Sequence, residues 1–256
     1  MNTTKMTNVV IVTGRLTKNA VTGTTRKVGT PFARFTVASD KKRTGKFEQA
    51  QSPNFYPIEV YGEDKLTAYE PFLKQGQSVA VKGSIRTDSY KGDDGKTVYT
   101  WKIIADEICA LPGGKMTGMS QVFLLGELND DAKSAYTRSH DPVCMLDMFI
   151  KCGRTYSGGS DYIPAVLYGK LGEMLGRYLV KGKSVICTGK LDTGSYKNSE
   201  GVTIYTWKVI ADNIYLNGDV KIRDDKMEVY EVEESESGFT ELPPEFDEDY
   251  FYDEEF

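Results

Sequence analysis

The 256-residue chain predicts an all-β protein: two tandem five-stranded barrels, each with one short helix, followed by a disordered acidic tail. Three observations carry this. The segment Tyr90 to Ile108 returns 106 residues later as Tyr196 to Ile214, with 12 of 19 positions identical. A repeat of that length is a whole domain written twice, not a solenoid unit. Each copy is rich in short runs of Val, Ile, Thr and aromatic residues separated by glycine-rich or polar connections, the composition of strands. Finally, residues 228 to 256 hold 13 acidic residues and no Lys or Arg.

In the first copy the predicted strands are Val9 to Val12, Ala33 to Ala38, Tyr56 to Tyr61, Ser78 to Ile85 and Val98 to Ala105, and the second copy supplies the corresponding five. Between the third and fourth strands Leu66, Tyr69 and Leu73 recur at helical spacing, as do Leu171, Met174, Leu175, Tyr178 and Leu179 in the second copy. Five strands with a short helix after the third is the order of an OB fold. The fourth-to-fifth hairpin turns at Gly92-Asp93-Asp94-Gly95 and at Asn198-Ser199-Glu200-Gly201, residues that tolerate turn dihedrals. The expected domains are 1–114 and 115–220, with 221–256 as tail.

Alternation along the third strand separates its faces. Tyr56, Ile58 and Val60 form a core side, and Phe55, Pro57, Glu59 and Tyr61 an outer side; the second copy repeats this with Tyr162 and Tyr168 opposite Ile163, Ala165 and Leu167. In the fourth strand Val79, Val81 and Ile85 read as core, while Lys82, Ser84 and Arg86 face outward. An aromatic ring on a partly wet face needs something to stack on it. Cations beside such rings suit single-stranded nucleic acid, because Lys and Arg track phosphates and flat rings take bases, at about 1–3 kcal/mol per base. Trp101 and Trp207 share their strand face with Tyr99, Ile103 and Ala105 or with Tyr205, Val209 and Ala211; that face fits either core packing or base stacking.

The runs Val9 to Leu16, Phe55 to Gly62 and Leu73 to Thr87, the Tyr90 hairpin and an acidic tail ending in Phe256 together resemble the bacterial and phage-type single-stranded DNA-binding proteins. The resemblance implies OB barrels that bind single-stranded DNA without catalysis, and base-stacking aromatics at Phe55, Tyr61 and Tyr90, with Tyr162, Tyr168 and Tyr196 in the second copy. Arg34, Lys41, Lys42, Arg43, Lys82, Arg86, Arg154 and Lys190 are the candidate phosphate contacts, and Tyr156, Trp101 and Trp207 complete the candidate surface. The tip Asp253, Glu254, Glu255 and Phe256 is the candidate partner-binding element for replication, recombination and repair proteins: acids suit a basic rim and the phenyl ring an apolar pocket. This tip lacks the Pro-Phe ending usual in the family. Typical members carry one OB domain and assemble as tetramers, so two domains per chain suggest a homodimer presenting four.

Charge is unevenly distributed. Residues 1 to 114 hold 17 bases and 11 acids, net +6, and residues 115 to 227 hold 15 bases and 13 acids, net +2. The first copy is therefore expected to carry most of the salt-dependent affinity. A tail of −13 cannot collapse on itself and can compete with DNA for a basic groove. Cys109, Cys144, Cys152 and Cys187 form no Cys-x-x-Cys pair, and Cys187 falls where the first copy has Val81, so small buried packing is expected rather than disulfide or zinc. The single histidine, His140, reads as a turn residue, and with no phosphate-cradling loop no catalytic, metal or cofactor site is predicted. No apolar run is long enough to span a membrane, and a cytoplasmic, nucleoid-associated protein is expected. A protein-binding OB scaffold and an RNA-binding regulator remain open alternatives.

Overall fold

Two closed barrels organise the chain. The computed structural model describes residues 7–41, 53–92, 95, 97–112, 118–137, 144–153, 159–197, 201, 203–218 and 229–232. In the first barrel β1 (Thr7–Leu16) pairs antiparallel with β5 (Ser78–Lys91), which pairs with β6 (Thr97–Ala110). Next come β4 (Asn54–Tyr61), parallel to β6, and β3 (Pro31–Ser39), antiparallel to β4. The circle closes where Arg15 and Leu16 of β1 meet Ala38 and Val37 of β3. Counting the five predicted strands in sequence, the circuit is 1-2-3-5-4-1, and it abolishes open sheet edges in the barrel.

Closure requires β1 to serve two partners, and Gly14 sits where it turns from one to the other. A Cβ there would lie 2.2 Å from the Ala38 carbonyl oxygen, so only glycine permits the approach. In the second barrel β7 (Ser120–Leu128) pairs with β11 (Ser184–Lys197) and, through Glu127 and Leu128, with β9 (Cys144–Gly153). There Gly126 would bring a Cβ within 2.3 Å of the Lys151 carbonyl. The strands β10 (Ser160–Tyr168) and β12 (Thr203–Leu216) complete that circuit, β10 running antiparallel to β9 and parallel to β12.

The core is the predicted one. Tyr56, Ile58, Val60, Val79, Val81 and Ile85 are fully buried, as are Ile163, Val185 and Cys187. Burial pushes the Cys152 and Cys187 thiols up to about 12, with Asp161 and Asp212 respectively adding to the effect, which leaves them unreactive at neutral pH. Among the described residues no cluster of His, Cys, Asp or Glu could hold a metal ion, and no helix is long and apolar enough to cross a membrane.

Three features differ from expectation. The helix α1 (Glu63–Tyr69) and its counterpart α2 (Lys170–Leu175) exist, but each is short, runs into a turn of 3-10 helix and buries no large side chain, Gly172 and Gly176 being the only buried residues of the second; the buried leucine, Leu73 or Leu179, follows the turn. Met174, expected on the helical apolar stripe, is 66% exposed. A strand β2 (Val21–Thr24) pairs with β3, and β8 (Lys133–Thr137) with β9. Lastly, β13 (Val229–Val232) pairs parallel with β8 inside the stretch assigned to the tail. Val229, Tyr230 and Val232 interrupt the acids there, and a sheet edge accepts backbone bonds from any such extended segment.

The described residues fall into two compact units. One contains Val9–Arg86 and Thr100–Ser120; the other contains Thr87–Tyr99 together with the described residues from Gln121 onward. The outer half of the β5–β6 hairpin therefore belongs to the unit built around the second barrel. Sequence periodicity, which ended the fourth strand at Ile85, did not anticipate that β5 continues to Lys91.

Candidate nucleic-acid interface

The outer side of β4 sets out the site of the first repeat. Phe55 is 46% exposed at the start of the strand, and Tyr61 lies half-buried at its end. Between them Glu59 is buried at 2%. Its carboxylate accepts Arg34 Nε at 2.9 Å and Lys102 Nζ at 3.0 Å, and it also accepts the Tyr61 hydroxyl. The cause lies in the register: Arg34 on β3 is directly opposite Glu59 on β4, and Lys102 comes from β6 on the other side. A carboxylate out of water is tolerable only with such partners. The expected partly wet charge is thus a buried hub, and it orients the phenol of Tyr61 from beneath.

Tyr61 also meets Phe32, with ring centroids 6.1 Å apart and planes tilted by 45°, and the Arg34 guanidinium lies 5.5 Å from the Phe32 centroid. Phe32 belongs to this aromatic row but was not singled out from sequence. Its partner is set by the β3–β4 register, which a one-residue slip would change completely.

On β10 the second repeat keeps the rings and changes the hub. Tyr162 is 44% exposed and Tyr168 half-buried, equivalent to Phe55 and Tyr61. Val166 stands where the first repeat has Glu59, and Asp147 lies opposite it in register. Lys208, the counterpart of Lys102, donates to the Tyr168 hydroxyl at 3.0 Å and lies 5.6 Å from that ring's centroid. Phe149, on β9 opposite Pro164, is 41% exposed and extends the row between the two tyrosines. Its signal in the sequence was weak, because the run Met145 to Ile150 puts large apolar residues on both strand faces, with Asp147 the one charge among them.

The hairpins carry the remaining rings. Tyr90 on β5 and Tyr196 on β11 are both half-buried. Tyr99, grouped from sequence with the Trp101 core face, is 55% exposed because its part of β6 overshoots the barrel. Trp101 and Trp207 go the other way: at 3% and 1% exposure they are core residues and offer no ring face to a base. Their inclusion among the binding residues is corrected accordingly; apolar neighbours on both sides of the same strand face enclose them.

Among the cations, Lys82 is exposed and pairs with Glu107 at 3.1 Å, and Lys190 is exposed 3.7 Å from Asp212. Both are surface pairs of the kind that contributes little to stability and exchanges readily. Arg86 and Lys41 are half-buried. Lys42, Arg43, Arg154, Tyr156, His140, the turn acids Asp93 and Asp94, and the tip Asp253, Glu254, Glu255 and Phe256 lie outside the described residues.

Each repeat therefore presents a strand face bearing exposed rings, and each also carries an exposed lysine, Lys82 or Lys190, on the strand that follows the helix. Single-stranded DNA-binding protein 3 of Clostridium acetobutylicum is 34% identical over 113 residues, covering 44% of this chain and 76% of that protein. Single-stranded DNA-binding protein B of Bacillus subtilis is 32% identical over 98 residues, covering 37% of this chain and 87% of that protein. The crystal structure of the wild-type single-stranded DNA binding protein from Thermus aquaticus superposes with a TM-score of 0.67 at 17% identity, over 86% of this chain and 98% of that one, and shows the same fold. The model of the single-strand binding protein family matches residues 7–111 and again 119–217. The chain belongs to the single-strand binding protein family and carries two of its OB domains in tandem.

Proposed function

We propose that this protein binds single-stranded DNA with little sequence preference, coats it without chemical change, and brings DNA replication, recombination and repair proteins to it through the acidic tip. The observation that carries the reading is the pair of equivalent exposed rings, Phe55 and Tyr162, held on barrel strands at 46% and 44% exposure. Exposing two large rings at the same place in both repeats costs solvation and is repaid when bases stack on them. Two OB domains per chain support a homodimer that presents four, acting in the cytoplasm at the nucleoid. The excess of base over acid in residues 1 to 114 supports a larger electrostatic share for the first repeat.

The test is a titration of the full chain with labelled dT, dA and duplex oligonucleotides at two salt concentrations. Tight, salt-weakened binding of both single strands with none of the duplex is the expected result. Failure to bind either single strand overturns the reading and leaves the aromatic faces as protein-binding surfaces, and preference for an RNA strand over the matching DNA would make it an RNA-binding regulator. Removing residues 228–256 is expected to tighten DNA binding at low salt and to abolish capture of partners; unchanged affinity would sink the competition between tail and DNA.

A further inference from the structure

Asp161 is an acid at 2% exposure, placed immediately before the exposed ring of Tyr162. Its Oδ1 accepts the Thr87 backbone N–H at 2.8 Å and the Thr87 hydroxyl at 3.4 Å. The Thr87 Oγ1 in turn accepts the backbone N–H of Tyr162 at 3.0 Å. All three residues lie in the same compact unit, the one that holds Thr87–Tyr99 and the residues from Gln121. The ring closes because a hydroxyl can donate once and accept at the same time.

The need for it follows from the sheet. Along its whole length β10 pairs with β9, but with β12 it pairs only at Ala165 to Leu167. At Asp161 and Tyr162 no strand among the described residues pairs with the second edge of β10, and the Tyr162 N–H that points that way requires an acceptor. Thr87 supplies one from the point where β5 enters the outer hairpin. A two-stranded ribbon reaching past its barrel is marginal by itself in water. Held at its base, it keeps Tyr90 and Tyr99 in place relative to the strand that carries Tyr162.

We propose that Thr87 and Asp161 are positioning residues for single-stranded DNA, fixing the hairpin Thr87–Tyr99 on the open edge of β10 so that Tyr162 and the hairpin tyrosines form one base-stacking track. This rests on the DNA-binding reading above. Without the brace the hairpin is ordered only when DNA arrives, and that ordering cost is subtracted from the binding free energy.

The experiment measures dT-oligonucleotide affinity of the full chain in four variants. Asp161→Asn and Thr87→Ser keep an acceptor and a hydroxyl and are expected to bind within about 2-fold of the parent, whereas Asp161→Ala and Thr87→Val are expected to lose about 5- to 20-fold, the worth of one or two such hydrogen bonds. A double-mutant cycle separates positioning from general folding. Asp161→Ala is expected to cost nearly nothing further in a background that lacks the whole track, Tyr90→Ala, Tyr99→Ala and Tyr162→Ala together, and its full factor in a Phe55→Ala background. Parent-like affinity of a folded Asp161→Ala, or the same loss in both backgrounds, overturns the proposal. Should Asp161→Ala fail to fold, Thr87→Val is carried through the same cycle. A parent protein that binds no dT refutes the DNA-binding premise instead, so the two failures are distinguishable.

Discussion

Replacing Glu59 by valine, the residue the second repeat carries at the equivalent position 166, tests whether the carboxylate under Tyr61 is a desolvated hub. The Glu59 side chain is 3% exposed, that of Lys102 8% and that of Arg34 22%. At 3.0 Å and an effective dielectric of about 20, the attraction of one pair is about 5.5 kcal/mol before desolvation is counted. Most of that offsets the cost of taking the charges out of water. Removing only the acid leaves Lys102 buried without its carboxylate and is expected to cost about 3–5 kcal/mol, while removing acid and amine together recovers most of the loss.

The assay is urea unfolding of the full chain in a Trp207→Phe background, where Trp101 is the only tryptophan left and reports the first barrel. Glu59→Val should move the Trp101 transition to lower urea, and Glu59→Val with Lys102→Met should return it most of the way. A single-variant cost below about 1 kcal/mol, or a double variant no better than the single, would refute the reasoning, for it would mean that water or another group already serves Lys102. Binding gives an independent check. Freed from Glu59, Arg34 and Lys102 should steepen the salt dependence of DNA affinity, by about 0.7 in the log–log slope for each phosphate they engage.

Phe55→Ala and Tyr162→Ala should each weaken dT binding by about 1–3 kcal/mol with little change in salt slope, because stacking is lost and phosphate contacts are kept; equilibrium titrations at two salt concentrations check this. Trp101→Phe should lower thermal stability and leave affinity near that of the parent, as its ring is core. At Gly83 and Gly189 a Cβ would stand 2.1 and 2.2 Å from the carbonyl oxygens of Ile104 and Ile210, so alanine at either should cost at least about 1–3 kcal/mol in urea unfolding, as overpacking does. Cys187→Val copies Val81 of the first repeat and should be neutral at pH 7. The Cys187 thiol pKa is raised by burial from 9.0 to about 12, so its stabilising effect is complete below pH 9 and is lost as pH rises from there toward 12. Across that window the valine variant should lose less stability than the parent in urea titrations.

How much of this was legible in the sequence depended on which residues are coupled along the chain and which across it. The five strands of each barrel, the hidden face of Tyr56, Ile58 and Val60, and the exposed rings of Phe55 and Tyr162 followed from period-two alternation and from the repeat itself. Alternation is a local property, fixed by the pleat, and so it survives without tertiary knowledge. It could not say where the solvent boundary crosses a strand: Tyr99 and Trp101 share one face, yet one is 55% exposed and the other 3%. That boundary is set by where the barrel ends and the hairpin goes on alone.

The details of cross-strand register, and of which residues meet where each barrel closes, were likewise out of reach, because they join residues far apart in sequence. They turned Glu59 from a wet charge into a buried acceptor for Arg34, Lys102 and Tyr61, brought Phe32 to Tyr61, and aligned Phe149 with the tyrosines of β10. They also set Thr87 against Asp161, 74 residues apart. Side-chain type and strand periodicity were enough for the two barrels, their cores and the aromatic character of the exposed strand face. Which charges are neutralised and which rings stay open depends on neighbours supplied by other strands, and so was visible only once the barrels were assembled.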